Sequence, residues 1–148
     1  IMTPYLIPEN EIITALRFAA QRGVDVRIIM PHIPDKKTAF DIAHTYYLQL
    51  LDAGVKIYEF TPGFVHAKMF VSDDDRAVVG TINLDFRSLY EHYECATFIY
   101  GNTVIKEIKA DFMKTFDRCQ RFKEEDYAKI PLFNRIRGKV GRLFAPLM

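Results

Sequence analysis

The sequence predicts a single α/β domain in which a mixed sheet is covered by helices on both faces. Short apolar, β-branched runs alternate with longer amphipathic segments along most of the chain. The alternation of strand and helix favours neighbouring strands joined by helical crossovers, which cover both faces of a sheet. At 148 residues and 49% hydrophobic content, the chain is long enough to bury one ordinary core.

The first half of the chain predicts three strands joined by two helices. Pro8 favours the start of the first helix, because its fixed backbone angle suits the first helical turn. Each helix is expected to end at a glycine, Gly23 or Gly54, since glycine readily adopts the left-handed conformation that closes a helix. The predicted strands cover 1–6, 24–30 and 55–60, and the predicted helices cover 8–22 and 35–53.

The second half of the chain predicts a hairpin, another strand and a long helix. Polar residues 72–76 form the expected turn between strands over 66–71 and 77–79. Gly80 then allows a sharp exit from the second of these strands. The remaining predicted elements are a strand over 95–100 and a helix over 104–122.

One string of residues indicates the chemistry of this chain. It begins at His66 and reads His-x-Lys-x4-Asp-x6-Gly-Thr-x-Asn, and its polar members are His66, Lys68, Asp73, Thr81 and Asn83. His66 and Lys68 project from the same face of an extended segment, because side chains on a strand alternate with a period of two. The return strand is expected to bring Thr81 and Asn83 beside them. These four groups would then converge on one phosphate.

These residue types suit phosphodiester transfer without a metal or another cofactor. Lys68 can neutralise a nonbridging phosphate oxygen, and Thr81 and Asn83 can donate hydrogen bonds to it. The imidazole of His66 can act as nucleophile at phosphorus or as proton donor to a leaving alkoxide. Asp73 is the weakest catalytic candidate of the string, because an acid at the start of a turn commonly orders the loop through its own backbone.

The string resembles the signature of the phospholipase D superfamily, and its surroundings resemble bacterial cardiolipin synthases. The likeness extends over nearly the whole chain, through the segments 3–8, 22–28, 53–59, 61–64 and 83–88. It implies a phospholipase D-like α-β-α sandwich over 1–126, with the signature segment at 61–88. It also implies an enzyme without cofactor or metal, a phosphatidyltransferase that joins two phosphatidylglycerol molecules into cardiolipin and releases glycerol.

The resemblance further implies roles for the site residues. In the family, one histidine forms a phosphohistidine intermediate, and a second motif more often supplies the acid and base, which is the role expected for His66. A downstream acid orients a catalytic imidazole, and Glu94 stands at the matching position. The family often has asparagine two positions before that acid, whereas this sequence has His92.

Synthases of this family carry the signature twice on one chain, and the two copies form one active site. This sequence has one copy, because the three histidines other than His66 are not followed by lysine two residues later. We therefore expect the other half of the site to come from a missing amino-terminal part of the parent chain or from a homodimer partner. Two alternatives stay open: a single-motif nuclease or phospholipase that is active as a homodimer, and a catalytically inert half-domain.

The segment 127–148 differs in character from the rest of the chain. It contains five basic residues and no acid, and its apolar residues recur near helical spacing. Such a basic amphipathic segment is typical of helices that lie on anionic bilayers. The equally weighted alternative is a terminal helix that packs on its own domain or on the missing half, since Gly138 and Gly141 lower its helix propensity.

Composition narrows the partners and the location of the chain. The net charge is +1, and basic residues cluster in the terminal segment instead of lining a groove between aromatics, which does not favour nucleic acid. Cys95 and Cys119 lack metal-ligand spacing and are expected to be free thiols. No apolar run approaches the length of a transmembrane helix. The resemblance implies association with the cytoplasmic side of a bacterial membrane and its anionic lipids.

Overall fold

The computed structural model describes residues 1–145 and confirms an α/β fold. The strands are β1 (Leu6–Ile7), β2 (Arg27–Pro31), β3 (Lys56–Phe60), β4 (Met69–Ser72), β5 (Arg76–Gly80), β6 (Leu84–Asp85), β7 (Ala96–Tyr100) and β8 (Cys119–Phe122). The helices are α1 (Asn10–Gln21), α2 (Lys37–Asp52), α3 (Val104–Phe116), α4 (Glu124–Lys129) and α5 (Leu132–Arg142), with a π-helical turn at Arg87–Glu91.

The amino-terminal residues join two groups of strands into one mixed sheet. One group has the order β2-β3-β8 and the other has the order β4-β5-β7. Met2 lies between the groups, parallel to Ile29 of β2 and antiparallel to Met69 of β4. The backbone nitrogen of Met2 donates to the carbonyl of Met69 at 2.8 Å, and the backbone nitrogen of Ile29 donates to the carbonyl of Ile1 at 2.8 Å. Residues 1–3 therefore act as the central strand.

Apolar side chains leave the two faces of the sheet alternately, so each face has its own cluster. On one face, Ile28 of β2 is buried against Tyr47 and Leu50 of α2. On the opposite face, Ile29 is buried against Phe112 of α3. This arrangement confirms the predicted mixed sheet with helices on both faces.

Two predicted element boundaries in the second half of the chain were wrong. The helix expected over 104–122 ends at Phe116, and residues 119–122 form β8 on the outer edge of β3. Pairing with the exposed edge of β3 satisfies backbone groups that a longer helix would leave open. The strand expected over 66–71 begins only at Met69. The short parallel pair of β1 and β6 was not predicted, because two-residue strands carry no periodic signal.

Helix α5 crosses α2 at close range within the same domain. A Cβ atom on Gly138 would lie 2.3 Å from the carbonyl oxygen of Asp41, and one on Gly141 would lie 2.7 Å from Cδ1 of Ile42. The two glycines therefore permit the approach of the helices. Residues 127–145 therefore pack on their own domain, mainly through contacts of α4 and α5 with α2. The last three residues of the segment 127–148 lie outside the described residues. No helix within 1–145 has both the length and the apolar character needed to cross a bilayer.

The substitution Gly138→Ala should lower the free energy of unfolding by about 1–3 kcal/mol. The new methyl group would collide with a backbone oxygen, which cannot rotate away as a side chain does. Urea denaturation followed by circular dichroism measures the change. Gly63→Ala is the matched control, because a Cβ there meets nothing within 4 Å. A Gly138→Ala variant as stable as the control would contradict the close packing of α5 on α2.

Candidate functional site

All of the predicted site residues except Asp73 lie along one edge of the sheet, which we name the site edge. Residues 1–3 run parallel to β2 and antiparallel to β4, so β4 begins at the edge where β2 ends. The antiparallel order β4-β5-β7 places the end of β5 and the start of β7 at the same edge. His66 and Lys68 precede β4, Thr81 follows β5 and Glu94 precedes β7. The topology therefore gathers residues that are up to 28 positions apart in the sequence.

His66 presents an exposed imidazole at the site edge. Its ring centroid lies 5.3 Å from the ring centroid of Phe64, with an interplanar angle of 35°. The carbonyl oxygen of His66 accepts a hydrogen bond of 2.7 Å from Nζ of Lys68. Within residues 1–145 the imidazole itself makes no side-chain hydrogen bond. A histidine held by a tilted ring contact alone keeps both ring nitrogens available for a substrate or a partner.

Lys68 supplies positive charge at the half-buried centre of this edge. Burial lowers the pKa of the Lys68 ammonium, and the negative charges of Glu94 and Asp85 act in the opposite direction. Within the described residues 1–145, the ammonium donates one hydrogen bond, to a backbone carbonyl, so it retains donors for an anionic ligand.

Glu94 is the centre of a hydrogen-bond network at the site edge. The hydroxyl of Thr81 donates to the Glu94 carboxylate, and the backbone nitrogen of Cys95 donates to that hydroxyl oxygen at 3.0 Å. The bond from Thr81 lowers the pKa of Glu94, burial opposes this shift, and contacts with Ser88 and His92 lower the pKa further. Nδ1 of His92 lies 3.6 Å from the Glu94 carboxylate. Glu94 is thereby held ionised within the site.

Asn83 joins this network through a serine that the sequence analysis did not single out. Nδ2 of Asn83 donates to Oγ of Ser88 at 3.1 Å, and the backbone nitrogen of Ser88 donates to Oδ1 of Asp85 at 2.8 Å. Oδ1 of Asn83 is buried and accepts no hydrogen bond from the described residues. Asp85 and Ser88 are three positions apart, the spacing at which an acidic side chain accepts an amide proton at a helix start. This spacing in the sequence could have indicated the pairing of Asp85 with Ser88.

The structure does not bring Asp73 to the other members of the string. Asp73 lies in the β4–β5 turn with a φ of 53°, and Asp74 beside it has a φ of 63°. Its carboxylate accepts a hydrogen bond of 3.0 Å from the hydroxyl of Ser72. The four residues of β4 separate this turn from the site edge by about 13 Å. In this position Asp73 orders the hairpin.

Glu94 also does not contact His66 in this chain. Its partners are Thr81, Ser88 and His92, although the resemblance implies that an acid at this position orients a catalytic imidazole. Within residues 1–145, therefore, Glu94 and the imidazole of His66 lie on the same edge without pairing.

A second polar cluster lies where β2 and β3 end, and its centre is Glu59. The buried carboxylate of Glu59 contacts Nδ1 of His32 at 2.7 Å, Nε2 of His44 at 3.3 Å and Nε2 of Gln120 at 3.3 Å. Burial raises the pKa of Glu59, but the bonds from His44, His32 and Gln120 outweigh it and leave the pKa below its ordinary value. His44 packs between the rings of Phe40 and Tyr47. His44 is therefore part of the packing around this buried carboxylate.

The chain matches known proteins along most of its length. Residues 1–116 match the family model described as cardiolipin synthase, PLD-like domain. The chain is 57% identical over all 148 residues to a Streptococcus mutans protein described as uncharacterized, of which it covers 32%. It is 40% identical over its whole length to cardiolipin synthase 2 of Bacillus cereus, of which it covers 29%. The chain thus spans about a third of the length of these relatives.

Two solved structures share the fold at low sequence identity. Nuc from Salmonella typhimurium, a phospholipase D family member, has a TM-score of 0.70 at 19% identity, and the match covers 83% of this chain and 80% of Nuc. Phosphatidylserine synthase from Haemophilus influenzae has a TM-score of 0.69 at 16% identity, over 99% of this chain and 39% of that enzyme. Together with the family match, these findings show that the chain belongs to the cardiolipin synthase family of phospholipase D-like domains.

Proposed function

We propose that the chain supplies one half of a phosphatidyl-transfer site that converts two phosphatidylglycerol molecules into cardiolipin and glycerol. The observation that carries this proposal is the gathering of Lys68, Thr81, Asn83 and Glu94 at the sheet edge that also carries the exposed imidazole of His66. Membership of the family and 40% identity to cardiolipin synthase 2 support the choice of a phospholipid substrate.

In the proposed reaction, two imidazoles act on one phosphodiester. A ring nitrogen of one histidine attacks phosphorus, forming a P–N bond as the P–O bond to glycerol breaks. The second imidazole, protonated at first, gives its proton to the departing glycerol oxygen. It then accepts a proton from the hydroxyl of a second phosphatidylglycerol, whose oxygen displaces the histidine from phosphorus. We assign this acid and base role to His66 and the nucleophile to the other half.

Lys68, Thr81 and Asn83 hold the phosphate in this proposal. The Lys68 ammonium balances the charge that builds on the nonbridging oxygens in the transition state. The hydroxyl of Thr81 and the amide of Asn83 supply hydrogen bonds once the substrate competes with their present partners, Glu94 and Ser88. Asp73 acts on the hairpin and stays outside the reaction.

The arrangement of Glu94 favours a composite site. Because Glu94 is ionised and does not contact His66, the imidazole that it orients in this proposal is the one supplied by the other half. Relatives about three times as long as this chain offer room for such a half in one polypeptide. In that arrangement the protein would act at the cytoplasmic side of a bacterial membrane, where its lipid substrate lies.

A single-motif phosphodiesterase active as a homodimer is the second candidate. The observation that favours it is the match to Nuc, which covers similar shares of both chains, so the two chains have similar lengths. In this case a second copy supplies the other His66, and water takes the place of the lipid hydroxyl. The third possibility is an inert half-domain, which has the same fold but catalyses no reaction.

Product analysis separates these proposals. The 148-residue chain and the longest protein encoded by the same reading frame are each incubated with phosphatidylglycerol vesicles and, separately, with single-stranded DNA. Cardiolipin and equimolar glycerol support phosphatidyl transfer, whereas phosphatidic acid or cleaved DNA contradicts it and supports hydrolysis. Light scattering on the same samples identifies the active assembly. A strictly monomeric chain without any product supports the inert half-domain.

A further inference from the structure

The outward side of α5 is apolar, which is the reverse of an ordinary surface helix. At 100° per residue, five large apolar residues fall within about 100° of the helix circumference. We name them the α5 stripe: Leu132, Phe133, Ile136, Val140 and Leu143. Their exposed fractions run from 52% to 79%. A surface helix normally turns such a stripe toward the core.

The inward side of α5 explains why the stripe faces outward. Gly138 and Gly141 lie against α2, where larger side chains would not fit. Arg137 forms an ion pair with the buried carboxylate of Asp41, and the Arg142 guanidinium lies 4.1 Å from the centre of the Tyr46 ring. Glycine and arginine therefore make the contact with the domain. A contiguous exposed stripe left by such packing is typical of an interaction surface.

Charge beside the α5 stripe indicates the chemistry of its partner. Lys139 is exposed at one border of the stripe, whereas Arg135 is half-buried further toward the domain, with its guanidinium carbon 4.8 Å from the centre of the Tyr127 ring. From Tyr127 to the end of the sequence there is no acid. A second copy of the chain docked on this face would bring like charges together, which disfavours self-association. An anionic lipid surface satisfies both the apolar and the cationic groups.

Helix α5 lies on the side of the domain toward the site edge. Helix α5 contacts α2 at Asp41 and Ile42, in the first half of α2. This half follows the end of β2, so it lies toward the edge that carries His66 and Lys68. A surface held there by lipid would keep the site edge close to a phospholipid substrate, and in this respect the inference builds on the proposed function.

We propose that the α5 stripe docks on an anionic bilayer. The 11-residue helix lies in the plane of the interface, with its apolar side chains at the acyl boundary and Lys139 at the lipid phosphates. The contact is reversible, because a helix of this length reaches only the interfacial region of a bilayer.

A tryptophan reporter tests the contact directly, because the chain contains no tryptophan. The Phe133→Trp variant is mixed with vesicles of phosphatidylcholine and phosphatidylserine, a mixture without the proposed substrate. We expect its emission to shift to shorter wavelength as the indole leaves water, whereas Phe18→Trp, which replaces an exposed aromatic residue of α1, should not shift. Absence of a shift for Phe133→Trp, or equal shifts for both variants, overturns the proposal.

Vesicle sedimentation measures the apolar and the electrostatic parts of the contact separately. The double substitution Phe133→Ser and Leu143→Ser should lower the partition coefficient by at least about tenfold, while Phe18→Ser with Val24→Ser leaves it unchanged. Lys139→Glu should lower it about fivefold or more on anionic vesicles, and Lys114→Glu on α3 serves as its control. Binding to pure phosphatidylcholine that equals binding to the anionic mixture overturns the electrostatic part.

Two further outcomes separate this inference from its alternatives. Light scattering that shows a dimer dissolved by the double substitution would identify a second copy as the partner and overturn the proposal. The His66→Ala variant should bind vesicles as the unchanged chain does, since His66 lies outside the stripe. Separately, vesicle binding by the unchanged active assembly without any cardiolipin formation would reject the proposed function while retaining the lipid contact.

Discussion

Replacing His66 by alanine should reduce cardiolipin formation by about 10³-fold or more, because general acid and base catalysis by one positioned side chain contributes about 10²–10⁴-fold to a rate. In the proposed reaction His66 both protonates glycerol and deprotonates the incoming lipid, so both chemical steps lose their proton carrier. The measurement is the initial rate of cardiolipin formation from phosphatidylglycerol in the active assembly identified by product analysis.

The fold should survive this substitution, which makes the result interpretable. The imidazole of His66 is exposed and contacts the ring of Phe64 without a hydrogen bond of its own. A thermal melt of the variant should therefore match that of the unchanged protein. His92→Ala is the comparison, because this exposed imidazole lies 3.6 Å from Glu94, and its loss should cost less than about tenfold. Normal activity of the His66→Ala variant would reject the assignment of His66.

The parts of the fold that follow from local sequence were predictable. Helix α1 and helix α2 were expected within about two residues of their observed ends, because each has an apolar stripe and a terminal glycine with positive φ, Gly23 and Gly54. The hairpin of β4 and β5 followed from a polar turn between alternating residues. In these cases the signal that sets the structure is contained in a few neighbouring residues.

The parts that depend on distant pairing were not predictable from one sequence. Residues 119–122 continue the helical pattern of α3, yet they form β8 because β3 offers an open edge about 60 positions earlier in the chain. The same limit applies to the prediction of the site from sequence. His66, Lys68, Thr81 and Asn83 belong to one string, whereas Ser88 enters the site only through its contacts with Asn83 and Glu94. The Glu59 cluster likewise arises from four separate segments of the chain, the loop after β2, α2, β3 and β8.

The largest loss of stability is expected for Glu59→Ala, at about 3–5 kcal/mol of the free energy of unfolding. The carboxylate of Glu59 is buried and accepts contacts from His32, His44 and Gln120. Removing it would leave these polar groups without their acceptor and open a cavity beside the core. Urea denaturation at pH 7 measures the change. The matched control is Glu107→Ala, which removes an exposed acid from the first turn of α3 and should change stability by less than about 1 kcal/mol.

The pH dependence of the unfolding free energy tests independently whether the charge of Glu59 stabilises the fold. Its pKa is lowered in the folded protein, so its charge stabilises the fold above the ordinary glutamate pKa of 4.5. That contribution is lost as the pH falls through the lower pKa of the folded state. The difference in unfolding free energy between the unchanged protein and Glu59→Gln should therefore be larger at pH 7 than at pH 3. Other acids, such as Asp25 with its pKa lowered to about 2, act equally in both proteins and cancel from this difference. A difference that stays constant between pH 7 and pH 3 would mean that the shape of Glu59 stabilises the cluster and its charge does not.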